Sequence, residues 1–118
     1  MAAFKLNLKV DQGATFSQVV TWKAGTPAAP VNLAGCTARM QARGKLADTA
    51  VLFDLTVANG GIALGDSAGT VTIKLTSAQT AAITWTSAVY DLEITFADST
   101  VRRLLTGGIA VSPEVTRG

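Results

Sequence analysis

The stretch at residues 87–96 constrains the fold more than any other. Tyr90, Leu92, Ile94 and Phe96 alternate with Asp91, Glu93 and Thr95. In an extended chain a period of two puts the apolar set on one face and the polar set on the other. That suits a sheet with one face in a core and one in water. A helix would spread the same residues around its circumference. The segment is expected to be a central strand of an all-β domain.

The same period recurs along the chain. Phe4, Leu6, Leu8 and Val10 alternate with Lys5, Asn7 and Lys9, a first strand whose lysines suit an exposed edge. Residues 14–22 form the next, with Phe16, Val20 and Trp22 inward. Val19 interrupts strict alternation and predicts a bulge, or a strand covered on both faces. Residues 23–35 are irregular, because Gly25, Pro27 and Pro30 exclude helix and interior strand. Val31 and Leu33 are expected to tuck under the sheet edge. Residues 37–43 alternate again, with Ala38, Met40 and Ala42 inward and Arg39, Gln41 and Arg43 outward.

Val51, Phe53 and Leu55 mark a strand that ends at the turn Asn59-Gly60-Gly61. Strands follow at 62–64 and 70–75. Thr76 and Gln79 have the spacing of a capping box, which predicts one short helical turn near residues 77–83, with Trp85 closing that end of the core. Residues 100–106 pair back on the central strand. Gly107-Gly108 predicts a bulge or bend, and Pro113 ends the sheet.

This spacing of roughly seven to nine short strands predicts an antiparallel β-sandwich forming a single domain over residues 1–118. Its core is expected to hold Phe4, Phe16, Trp22, Met40, Phe53, Ile73, Tyr90, Leu92, Ile94 and Phe96. Apolar residues make up 48% and charged residues 15%, a globular and not a disordered balance. No apolar run approaches the ~18 residues of a membrane span, so no membrane partner is expected. Residues 1–10 lack the apolar segment of a secretory leader, and synthesis and retention in the cytoplasm, or release by another route, is expected. The net charge is +2, with ten Lys and Arg spread along the length. Nucleic-acid binders concentrate such charge on one face, so none is expected to be a partner.

Histidine is absent. This removes Ser-His-Asp and Cys-His catalysis, His-ligated metals and the commonest general base. Gly65-Asp66-Ser67-Ala68-Gly69 matches a nucleophile elbow in letters, but an elbow needs a strand before, a helix after and a base in reach. Ser67 is read as part of a solvated turn. Cys36, the single cysteine, is read as a small buried hydrophobe. Asp91 and Glu93 share one strand face about 7 Å apart. They are expected to face Arg39 and Arg43 on a neighbouring strand as cross-strand charge pairs. Arg102-Arg103 is read as a solvated edge, and Trp22 and Trp85 as core packing over a sugar-stacking platform. No acidic loop has calcium-binding spacing. No catalytic, cofactor-binding or metal-binding residue is assigned, and a non-enzymatic role is expected. The weakly charged surface and mean hydropathy of +0.35 suit a chain that covers itself with partners.

One order of motifs resembles a known family. Asp11-Gln12-Gly13-Ala14-Thr15-Phe16 leads to Trp22-Lys23, then Pro30-Val31-Asn32-Leu33-Ala34-Gly35-Cys36-Thr37-Ala38, Asn59-Gly60-Gly61-Ile62, Ala68-Gly69-Thr70-Val71-Thr72-Ile73 and Val89-Tyr90-Asp91-Leu92-Glu93. This pattern is similar to small structural proteins of tailed bacteriophages, in particular the N-terminal immunoglobulin-like domain of baseplate upper proteins. The resemblance spans about residues 9–111 and carries no catalytic residue. It implies an immunoglobulin-like sandwich in a multi-copy virion protein, a tail or baseplate adaptor or attachment subunit assembled in the host bacterial cytoplasm. Other virion proteins and further copies of itself would be its partners. Baseplate proteins continue into receptor-binding parts, whereas this sequence stops at Gly118. A head decoration or neck subunit, and a glycan- or receptor-binding module, are the alternatives. Residues 1–5 and 113–118 would be tethers that order on docking.

Overall fold

A computed structural model describes residues 3–115. Its larger sheet contains β1 (Phe4–Lys5), β2 (Leu8–Asp11), β6 (Thr37–Arg43), β7 (Phe53–Thr56), β10 (Ser87–Thr95) and β11 (Val101–Ser112), in the order β1–β11–β10–β6–β7 with β2 also on β11. The smaller sheet contains β3 (Phe16–Thr21), β8 (Ile62–Leu64) and β9 (Thr70–Leu75), in the order β3–β9–β8. Strands β4 (Lys23–Ala24) and β5 (Ala29–Pro30) form a small hairpin between β3 and β6. The helix α1 (Ser77–Ala81) joins β9 to β10. The fold is an all-β sandwich, as the alternating pattern requires.

The core lies between the two sheets. Ala88, Tyr90, Leu92 and Ile94 of β10 are buried together with Ala38, Met40 and Ala42 of β6, and with Val71, Ile73 and Leu75 of β9. Trp22 is only 3% exposed, and Leu33 is buried beneath the irregular segment that precedes β6. Phe16, Phe53 and Phe96 pack against this cluster from its margins. Burial of a side chain such as Leu92 stabilises the fold by about 1.5–3 kcal/mol relative to exposure.

The helix forms where the capping box predicts it. The Gln79 N–H donates to Thr76 Oγ1 at 3.1 Å, and the Thr76 N–H donates to Gln79 Oε1 at 2.8 Å. Buried Thr80 donates its hydroxyl to Ala14 O at 2.8 Å, which fastens the helix to the loop before β3.

Three local expectations are corrected. Phe4 is 51% exposed and not in the core, because β1 contributes only two residues at the end of the sheet, neither of them buried. Val19 makes no bulge. The β3–β9 register runs unbroken from Phe16↔Leu75 to Thr21↔Thr70, and Val19 simply faces solvent. The bulge in β11 lies earlier than Gly107-Gly108. Leu105 pairs with Leu92 and Arg103 with Glu93, so Leu104 is the extra residue, and both leucines are buried. Gly107 instead serves a close approach. A Cβ there would lie 2.3 Å from Leu6 O.

That approach explains why the first strand appears in two pieces. Phe4↔Leu105 and Leu8↔Ile109 share one register, so β1 and β2 follow a single line along β11. Both run parallel to β11, which makes the sheet mixed at this side. Between them Asn7 Oδ1, not a backbone carbonyl, accepts the Gly108 N–H at 3.0 Å. Tyr90 reaches from β10 under this break and donates its hydroxyl to Leu6 O at 2.6 Å.

Candidate functional site

The outer face of the larger sheet forms an open trough of about 740 Å³. Its floor comes from β10 and β11, because the outward-pointing residues of β10, among them Val89, Asp91 and Glu93, alternate with the buried ones. Lys5 closes one side. Arg43 and Leu46 rise on the other.

The β6–β7 loop holds Leu46 in place through specific hydrogen bonds. Arg43 donates from Nη1 to Asp48 O and Thr49 O, both at 2.9 Å, and from Nη2 to Gln41 Oε1 at 3.0 Å. The Lys45 N–H donates to Asp48 Oδ2 at 3.1 Å. Leu46, at the tip of this braced turn, is 88% exposed. The trough thus presents two apolar side chains, Leu46 and Val89, among the cations of Lys5, Arg43 and Arg103 and the anions of Asp91 and Glu93. A surface of mixed charge with apolar points suits protein–protein contact more than recognition of a polyanion.

β6 and β10 are neighbours, as the charge pattern predicts, with Glu93 opposite Arg39 and Val89 opposite Arg43. The ion pairs, however, reach outward to the flanking strands. Arg39 binds Asp54 of β7 in a two-pronged pair, with Nη2 to Oδ2 at 2.8 Å and Nε to Oδ1 at 3.1 Å. The Arg39 hydrogen bond holds the Asp54 carboxyl below its usual range. Asp91 lies 3.6 Å from Arg103 of β11. Of the predicted partners only Glu93 and Arg39 sit directly opposite each other; Arg39 and Asp91 take counterions on the flanking strands, and Arg43 binds backbone carbonyls of the β6–β7 loop.

The remaining candidates are dispersed. Ser67 lies in an exposed single turn of 3₁₀ helix, Asp66–Ala68, and β9 follows it where an elbow would require a helix. Cys36 is half-buried against the core, and burial, followed by the nearby Asp98, pushes its thiol pKa up. That is the opposite of an activated nucleophile. Trp22 packs 5.8 Å from Phe96, and its Nε1 has no hydrogen-bond partner. Trp85 is half-buried and sits edge-on to Phe53 at 5.4 Å. The buried Trp22 offers no open stacking face. Arg102 lies opposite Ile94 and Arg103 opposite Glu93, so the pair does not act as one basic patch.

A second concavity of about 540 Å³, between Phe16, Asn59, Lys74 and Gln79, lies at one end of the smaller sheet. Among the described residues, no group of three or more Cys, Asp or Glu side chains could hold a metal, and no helix is long and apolar enough to cross a membrane. Of the expected tethers, Phe4 and Lys5 are built into the sheet, while residues 1–2 and 116–118 lie outside the described residues. Sequence reasoning missed Leu46, although a leucine isolated among Gly44, Lys45 and Asp48 in a turn was a usable signal. In comparisons with known proteins, no family model and no curated protein matches the chain.

Proposed function

We propose that this chain is a non-enzymatic structural subunit of a bacteriophage virion, a multi-copy tail or baseplate adaptor that acts through protein–protein contacts. The observation that carries the contact reading is the trough on the outer sheet face. There Leu46 and Val89 stand exposed among charges of both signs on a braced, rigid surface. The virion placement rests on the order of loop and strand motifs described from the sequence. Strand order supports the immunoglobulin-like part of that reading. One sheet runs β3–β9–β8 and the other β11–β10–β6–β7, which follows the B–E–D and G–F–C–C′ arrangement of variable-type sandwiches. The glycan-binding alternative would use the indoles as a platform, and Trp22 is buried while Trp85 packs against Phe53.

The test is quantitative mass spectrometry of phage particles purified from a host that carries the gene. Peptides of this chain at several copies per particle are expected. Their absence from intact particles, with the chain expressed in the same cells, would overturn the virion assignment. A Leu46→Glu variant should lose incorporation without losing stability, since Leu46 is 88% exposed.

A further inference from the structure

The two sheets have four edges, and three of them are protected. β1 and β2 carry Lys5 and Lys9 on a line broken at Asn7. β8 is three residues long. The β7 edge is occupied by Asn59, whose Nδ2 donates to Asp54 O and whose Oδ1 accepts the Thr56 N–H, both at 2.9 Å. These are the ordinary defences against edge-to-edge pairing.

β3 has none of them. It is a regular six-residue strand, Phe-Ser-Gln-Val-Val-Thr, without charge, proline or bulge. Its hydrogen-bonding side is fixed by the ladder. The Gly65 N–H donates to Thr70 O and the Lys74 N–H to Gly61 O, so the even-numbered residues of β9 turn their backbone groups toward β8. The odd-numbered ones therefore pair with β3 through Phe16, Gln18 and Val20, in line with the Trp22 N–H donating to Gly69 O. Ser17, Val19 and Thr21 are left with their N–H and C=O groups directed outward. The Gln18 amide covers the Val19 carbonyl at 3.2 Å, a long exposed bond.

We infer that β3 pairs antiparallel with β3 of a second copy, joining the two smaller sheets about a two-fold axis through Val19. The sequence around Val19 is self-complementary for that register. Val19 would face Val19 of the other copy, and Ser17 would face Thr21 in both directions. These outward pairs are small, uncharged and suited to strands. All outward backbone groups of Ser17, Val19 and Thr21 would be used, and no like charges would meet. The symmetry is that of an isologous dimer. Val19, 54% exposed in one copy, becomes contact surface. This contact deepens the multi-copy reading and rests on it for its biological use.

Light scattering on the full chain over a concentration series tests it. The wild type is expected to pass from monomer to dimer mass. Val19→Lys places two like charges in direct opposition while leaving the bonds to β9 untouched. It should weaken the dimer roughly tenfold or more at unchanged circular dichroism. In parallel, the Ser17, Val19 and Thr21 amides of the wild type should exchange hydrogen more slowly in concentrated than in dilute solution. A monomer at every concentration, a dimer indifferent to Val19→Lys, or equal exchange in both solutions would each overturn the inference. Were the lysine variant not to fold, the exchange series decides alone. A monomer in solution that is still present in particles would sink this contact and leave the virion reading standing.

Discussion

The Tyr90 hydroxyl joins the central strand to the N-terminal segment, and its removal has two separable consequences. Tyr90 is 4% exposed, and its O–H donates to Leu6 O at 2.6 Å. A net hydrogen bond contributes about 0.5–1.5 kcal/mol, and a carbonyl left unsatisfied in a partly buried place adds to the loss. Tyr90→Phe is therefore expected to cost about 1–2 kcal/mol at neutral pH. With a urea slope of about 2 kcal/mol/M, the unfolding midpoint should fall by roughly 0.5–1 M at unchanged slope.

The second consequence appears in alkali. Burial pushes the Tyr90 phenol up to about 12 from 10.0. The unfolded chain loses this proton first, so the stabilisation is complete below about pH 10 and is lost as pH rises toward 12. A shift of this size corresponds to about 3 kcal/mol across that window. Urea melts of wild type and Tyr90→Phe at neutral pH and at several points above pH 10 measure both effects. The gap between the two proteins should narrow in alkali and then reverse. An unchanged midpoint at neutral pH, or parallel alkaline limbs, would refute the role assigned to this hydroxyl.

Gly107→Ala puts a methyl group 2.3 Å from Leu6 O, so it should destabilise by about 1–3 kcal/mol, whereas Gly108→Ala, whose nearest atom is at 3.6 Å, should cost less in the same denaturation assay. Thr76→Ala removes the hydroxyl that accepts the Gln79 N–H, leaves the backbone bond from the Thr76 N–H to Gln79 Oε1 in place, and is expected to cost about 0.5–2 kcal/mol by thermal or urea melts. Asn59→Ala removes the cover of the β7 edge, so turbidity on storage should rise faster than in the wild type, and an unchanged rate would argue against that protective role. Cys36, with its thiol pKa raised, should alkylate with iodoacetamide at mildly alkaline pH more slowly than a cysteine in a short peptide, and equal rates would contradict the packing described.

The order of elements was legible in the sequence because alternation reports directly on which face of a strand is buried. The segments at 37–43, 62–64 and 70–75 match β6, β8 and β9 residue for residue, and the capping box placed α1. The adjacency of β6 and β10 could be read from their opposed charges. What alternation cannot report is what lies beside a strand. Phe4 and Val10 obey the same pattern, yet only Val10 is covered, because cover depends on how far the opposing sheet extends. Gly107 looked like a bulge since a glycine in a strand reads alike whether the chain bends or another backbone approaches. Only the tertiary path of Leu6 separates the two. Arg39 reaches diagonally to Asp54 of β7, and Asp91, which has uncharged Gln41 and Thr106 opposite it, is reached by Arg103 of β11. The candidate surfaces follow the same rule. Leu46 and Val89 line one trough only because the β6–β7 loop folds beside β10. The open edge of β3 exists because the N-terminal strand pairs along β11, a long-range choice that no local period encodes.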